Sequence, residues 1–414
     1  MVLNRVNPPS IRCPVGSGFA LDGFAQNRNS PPSLEPRGAS PLSTKEPTMK
    51  PLRSLLTLLA CAAVAGTASA ASSTAGMKEG KVELKSAGPI TFGPEGVLLI
   101  GDSKSAAIFA VATGDTTAAS GSPQLKVEAI NVKLGALLGT AADQLTIDDL
   151  AVNPISRNAY LAVTRGRGAD ATPVLVRVNS KGTLDAVSLD KVKFSKAELP
   201  NPPAEAAPGG KKGNPRLEAI TDIAYLDGSV LVAGLSNEEF ASTLRSIPFP
   251  FQSVDKGTAV EIYHGAHGAF ETRSPVRTFV PFKVGNEASL FAAYTCTPLV
   301  QFPIKQLQAG AKIRGKTIAE LGNRNRPLDM IVYKKDGKDW LLLANNNRGV
   351  MKITTDSIEK AESITARVAD KQGTSYETIS AWTGIEQLDK LGNEHALVIR
   401  REGSTQNLET LPLP

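Results

Sequence analysis

Two stretches concentrate groups that could hold an anion or a sugar: Gly322-Asn-Arg-Asn-Arg-Pro-Leu-Asp329 and Asn345-Asn-Asn-Arg-Gly349. Arginine forks grip planar oxyanions through parallel hydrogen bonds, and each asparagine amide adds a donor and an acceptor. The same composition also suits a polar hub that ties one structural unit to the next. A second constellation is His264-Gly-Ala-His267 with Glu271 beyond it. Neutral imidazoles chelate transition metals. Without a helix to fix the pair or an evident third ligand, however, it reads first as a surface loop whose glycines make turns. Cys296, before Thr297-Pro298, reads first as a buried, inert thiol. There is no G-x-S-x-G elbow, C-x-x-C-H haem site or H-E-x-x-H helix, and none of the three histidines has the context of a catalytic triad.

These residues must be carried by strands. A short apolar strand, a tight turn and a more hydrophobic strand recur at residues 89–92/96–101, 149–152/159–163, 221–225/229–233, 276–280/289–293, 328–333/340–344 and 383–387/395–399. A period of roughly fifty residues built from such pairs is the signature of a radial repeat. The expected fold is all-β, a six-bladed β-propeller. Seven blades are the alternative, if residues 134–146 or 200–213 conceal another pair, although 134–138 reads as a helical turn or loop. Outer strands are expected at 242–247, 258–263, 349–353 and 364–368. The last unit runs out after residues 408–413. A strand at residues 81–85 is expected to complete it, closing the ring by pairing the N- and C-terminal strands and removing exposed sheet edges.

Up-and-down connectivity places the ends of second strands, the starts of first strands and every long insertion at one end of the ring. Binding is expected there. The residues that gather at that end include Asp102, Arg165, Asn325, Arg326, Asn345, Asn346 and Arg348 as ligand-binding candidates, and Glu218, Asp222 and Asn237 as metal ligands. Asp148 starts a first strand on the same face. Aspartates at strand starts have a competing use, since they also tie adjacent blades together.

Residues 1–48 hold eight prolines and no periodic pattern, which reads as a disordered or mis-assigned upstream extension. Residues 49–70 read as a secretory signal peptide: Met49-Lys50-Pro51-Leu52-Arg53, an apolar stretch, then Ala68-Ser69-Ala70. Residues 71–414 would then be one propeller domain, periplasmic or secreted, with no membrane span. Residues 1–70 carry seven Lys/Arg and three Asp/Glu, so their removal leaves 39 basic and 37 acidic residues, a net charge of +2. That near-neutral balance argues against nucleic acid as a partner. Cys13 and Cys61 would also leave, so Cys296 would have no disulfide partner.

The inner pattern, as in Ile220-Thr-Asp-Ile-Ala-Tyr-Leu-Asp-Gly-Ser-Val-Leu-Val-Ala233, resembles NHL-type and related six-bladed propellers of the gluconolactonase-like superfamily over most of the mature chain. The resemblance implies a divalent metal in the channel, calcium for instance, held by a Glu, Asn and Asp set. Gly93-Pro94-Glu95-Gly96 is similar to that group's early P-E-G stretch. Glu95 falls between the first two strands, however, on the face away from the mouth, so Glu218, Asp222, Asn237 and Asn346 are the better placed candidates. Two functions follow as expectations. One is an exported propeller that binds a small molecule or a periplasmic or extracellular protein, without a catalytic motif. The other is a metal-dependent lactonase or esterase whose channel metal polarises a carbonyl.

Overall fold

A computed structural model describes residues 72–121, 124–205, 213–356 and 358–414. The expected upstream extension and signal peptide lie outside the described residues. Six antiparallel sheets form the six blades of a β-propeller. The inner strands are Ile90–Phe92, Leu145–Val152, Asp222–Leu226, Thr278–Val284, Pro327–Lys335 and Ile385–Leu391, here numbered blades one to six in chain order. The second strands are buried over most of their length, Val97–Asp102 completely, because neighbouring blades cover both faces of each sheet. The tight turns use the expected chemistry. Asp227-Gly228 and Asp336-Gly337 all have positive φ, at 45°, 82°, 51° and 77°, the two-residue geometry that matches strand twist.

The core is divided among the junctions, each with its own apolar cluster. Leu231, Phe279 and Phe302 meet between blades three and four, and Ile331, Leu388 and Val398 between blades five and six. The outer edge of blade three is covered by Lys312–Arg314, which runs parallel to Ala259–Glu261 and so removes an open sheet edge.

The spatial order of the blades departs from the chain order. Blade one packs between blades two and three, and blade two packs between blades one and six. After Ala107–Ala112 in blade one, the chain leaves to build blade two. It then returns to lay Val192–Glu198 beside Ala107–Ala112. Blade two is thus an insertion between the third and fourth strands of blade one.

This route changes how the ring closes. Residues 81–85 are not a strand. The described N-terminal strand, Lys78–Gly80, lies on the outer edge of blade one, paired with Val192–Phe194. The segment after it is consumed in wrapping blade one: Val82 N donates to Leu189 O at 2.9 Å, and Lys85 N to Asp102 Oδ2 at 2.8 Å. Blade six is completed instead by Lys126–Val127, which pairs with Leu408 and Glu409. An early segment still closes on the C-terminal strand, but it comes from between blades one and two.

Residues 364–368 also differ from expectation. The outer strand of blade five is Tyr376–Thr378, while Ile364 N bonds to Thr317 O and Val368 N to Gly265 O, both at 2.9 Å. Ile364 and Val368 are apolar because they pack on Tyr263, and no ladder is involved. Residues 134–146 hold no blade. They contain part of the helix Ile130–Leu138, whose Ile130 and Leu134 enter the core between blades two and six. No helix among the described residues is long and apolar enough to cross a membrane.

The helix therefore seals the closing junction. Leu134→Ala, at a fully buried position, is expected to destabilise the protein by ~2–4 kcal/mol. Val132→Ala, on the exposed side of the same helix, should change stability by less than ~0.5 kcal/mol. Urea unfolding of both variants checks this.

Candidate functional site

The strand path puts one polar cavity of about 540 Å³ at the hub, on the face where inner strands begin and second strands end. All six blades contribute: Ser103 and Lys104 from blade one, Asp148 and Thr164 from two, Glu218 and Asp222 from three, Arg277 from four, Arg326 and Asp329 from five, and Gln387 from six. Asp389 joins Asp149, Asp222 and Asp329 along the channel walls.

Those four aspartates share one arrangement. Each sits within an inner strand and accepts a hydrogen bond from the inner backbone of the adjacent blade. Asp149 Oδ2 takes Ile90 N at 2.6 Å, and Asp222 Oδ2 takes Phe279 N at 2.7 Å. Asp329 Oδ2 takes Leu388 N at 2.8 Å, and Asp389 Oδ2 takes Val152 N at 2.7 Å. The other oxygen of each accepts the next residue's N–H, as with Ile223 N on Asp222 Oδ1 at 2.8 Å. Desolvation pushes these carboxyls up, Asp222 to about 7 and Asp389 to about 6. Asp149 and Asp329 are also pushed up, first by desolvation and further by the other carboxylates. Asp148, at the mouth, rises to about 6 by burial, although Thr164 Oγ1 donates to it at 2.5 Å.

Cationic groups face these acids. Arg277 Nη1 pairs with Glu218 Oε1 at 2.7 Å, and its Nε donates to Thr295 Oγ1 at 3.1 Å. The Arg326 guanidinium is lowered by desolvation and then by the charge of Arg277, with Glu218 acting the other way. Two guanidiniums and one carboxylate thus line the mouth, with the ion pair formed by Arg277.

Of the residues expected from sequence, Glu218, Asp222 and Arg326 are brought together in this cavity. The others lie elsewhere. Asp102 is fully buried and caps a turn through Lys85 N, Ser86 N and Ser105 N. Asn325 and Asn345 are buried. Asn325 accepts Asn347 N at 3.2 Å, and Asn345 Nδ2 donates to Leu343 O at 3.0 Å. Asn346 Oδ1 holds Arg326 N at 2.8 Å. Arg348 donates to Asn323 O at 3.2 Å and to Asp370 Oδ1 at 3.1 Å. Arg165 and Asn237 are exposed and outside the cavity lining. The metal set of Glu218, Asp222 and Asn237 is therefore not gathered at one point. Sequence reading passed over Arg277 and Lys104; it anticipated Asp222 and the tying of blades by aspartates, but not that Asp149, Asp329 and Asp389 repeat the arrangement. The aspartates did carry a signal, because Asp is depleted in strands yet recurs in four of these inner strands.

A second cluster lies outside the hub. His264 ends a strand of blade three, and His267 follows in the next turn. His264 Nδ1 stands 3.1 Å from Glu271 Oε2, and His267 Nδ1 stands 2.5 Å from Glu271 Oε1. Cys296 reaches the same place from the second-to-third strand hairpin of blade four. Gly265 is required here, since a Cβ on it would come within 2.9 Å of Glu320 Oε1, the atom that accepts its N–H at 2.6 Å.

No family profile matches the chain, and no curated protein matches it. Solved structures similar to it include a glucose dehydrogenase, at 12% identity and a TM-score of 0.36, covering 82% of this chain and 98% of that one. A GH43 glycoside hydrolase engineered for endo-xylanase and exo-arabinofuranosidase activity matches at 8% identity and a TM-score of 0.33, covering 66% of this chain and 51% of the other. A chain of a yeast heterotrimeric nucleoporin complex matches at 6% identity and a TM-score of 0.32, covering 78% of this chain and 97% of its own length.

The channel aspartates make stability depend on pH. Asp222 ionises near its ordinary 3.8 when unfolded but near about 7 when folded, so between those values the folded state binds more protons. Stability is then greatest below pH 4 as far as this group is concerned. It falls as pH rises toward 7, by at most about 1.4 kcal/mol for each pH unit crossed. Unfolding midpoints measured at pH 5 and pH 8 should fall in the wild type, and the fall should be shallower in Asp222→Asn.

Proposed function

We propose that the protein is an exported propeller that binds a small, polar, anionic molecule at the mouth of its channel. One observation carries this reading: Arg277, paired with Glu218 at 2.7 Å, and Arg326 both line the cavity. An oxyanion seated between the guanidiniums would relieve their repulsion and replace the water that Arg326 has lost. The carboxyls and the Gln387 amide that line the cavity offer hydrogen-bonding partners to hydroxyls, which suits a sugar acid or another hydroxylated carboxylate. Export rests on the leader read from residues 49–70, and kinship with NHL and gluconolactonase-like propellers rests on the inner-strand pattern.

Titration calorimetry with gluconate and citrate, against glucose as the neutral control, tests the reading. The wild type should bind the anions and not glucose. Arg326→Gln should weaken binding by roughly 10- to 100-fold, the worth of a charge-assisted hydrogen bond. Equal binding by that variant, or no anion binding by the wild type, removes the proposal.

The convergence of Asp149, Asp222, Asp329 and Asp389 favours a second reading, a channel-bound divalent cation such as calcium serving a lactonase or esterase. Glu218 and Asp222, which line the cavity, would be its nearest expected ligands. It predicts one calcium bound per chain, lost in Asp222→Asn, together with lactone hydrolysis that stops when the ion is chelated. Calorimetry and a lactone assay decide it.

A further inference from the structure

We propose that His264, His267 and Cys296 form a transition-metal site of the zinc class, with Glu271 as the carboxylate that orients both imidazoles. One ligand atom from each of the three lies within 4.8 Å of those of the other two. Zinc bonds of ~2.0–2.3 Å place tetrahedral ligand atoms about 3.5 Å apart, so side-chain adjustments of about 1 Å close the set. The donor types suit the ion: two imidazole nitrogens and a thiolate select zinc or copper over calcium or magnesium.

A second, independent observation points to a ligand here. His264 is only 2% exposed, and neither of its ring nitrogens has a hydrogen-bond partner. A buried, unpartnered imidazole nitrogen carries a desolvation cost that a metal ion would offset. The carboxylate of Glu271 lies on the Nδ1 side of both rings, the arrangement in which a carboxylate takes one ring N–H and leaves the other nitrogen for a metal. The Tyr294 hydroxyl and Glu320 Oε2 are also buried without hydrogen-bond partners. His267 is partly open to solvent and supplies an entry path. Three protein ligands leave a fourth position for water or a ligand, as in catalytic rather than structural zinc sites. Binding would displace the Cys296 proton to solvent, so affinity should rise with pH.

The test uses the full chain, stripped with chelator and titrated with Zn²⁺, then loaded with Co²⁺ for absorption spectroscopy. The expected result is one metal per chain and a thiolate-to-cobalt charge-transfer band in the near ultraviolet. Cys296→Ser should lose that band, His264→Gln should lose at least 100-fold in zinc affinity, and Glu271→Gln should lose roughly 10- to 100-fold. His267→Gln, at the exposed edge, gives a readout even if the buried variants fold poorly, and circular dichroism reports their folding. Asp222→Asn should leave zinc binding unchanged, which separates this site from a channel cation. Absence of zinc binding in the wild type overturns the proposal, as does binding that survives both Cys296→Ser and His267→Gln.

Discussion

The inner strands of adjacent blades do not share a hydrogen-bond ladder, yet their backbone groups face one another across a narrow channel. Buried N–H groups need partners. At four of the six junctions an aspartate supplies one, and all four reach in the same rotational direction: blade six to two, two to one, three to four, and five to six. Each aspartate fixes both its own inner strand and its neighbour's position. The same bonds set the shape of the hub, because they hold the strand ends from which Asp148, Glu218, Arg277 and Arg326 project. Burial raises the pKa of each of the four carboxyls, so they hold protons to higher pH than exposed aspartates do.

Six strand pairs and the tight turns at Asp227-Gly228 and Asp336-Gly337 were legible because each follows from local periodicity or turn chemistry. Blade order was not. Every blade presents similar apolar faces, so the sequence of blade two does not say which neighbours it takes. That choice rests on non-local packing, such as Tyr160 against blade one and Leu145 with Leu161 against blade six. The closing strand Lys126–Val127 is two residues long, too short to show any period. Residues 364–368 alternate like a strand while their apolar residues answer to Tyr263.

The candidate site divides in the same way. Asparagine has a short side chain that bonds nearby backbone in preference to a distant ligand. Asn325, Asn345 and Asn346 do so, even though their clustering drew attention to them as ligand-binding residues. Arg348 is likewise engaged by the Asn323 carbonyl and Asp370. Arg277 stands in no distinctive motif, but it begins an inner strand at the mouth, and position around the ring decides its role. Residue type was therefore a weaker guide to the site than place within the repeat.

The two clusters on this face are mechanically joined. Cys296 and Thr297 both have left-handed backbone conformations, with φ of 64° and 60°, which cost non-glycine residues about 1–2 kcal/mol each. Three bonds hold them there: Cys296 N to Asn325 O at 2.7 Å, Thr297 Oγ1 to Gly322 O at 2.6 Å, and Leu321 N to Thr297 O at 3.0 Å. The residue before this turn, Thr295, accepts from Arg277, and Arg277 in turn holds Glu218 at the channel mouth. The Asn325 carbonyl that pins Cys296 belongs to the segment carrying Arg326. A hairpin strained in this way has few alternative conformations, so the thiol and the two mouth arginines are positioned by one set of backbone contacts. Any occupant that shifts Cys296 must move Thr295 or Asn325, and through them one of the guanidiniums.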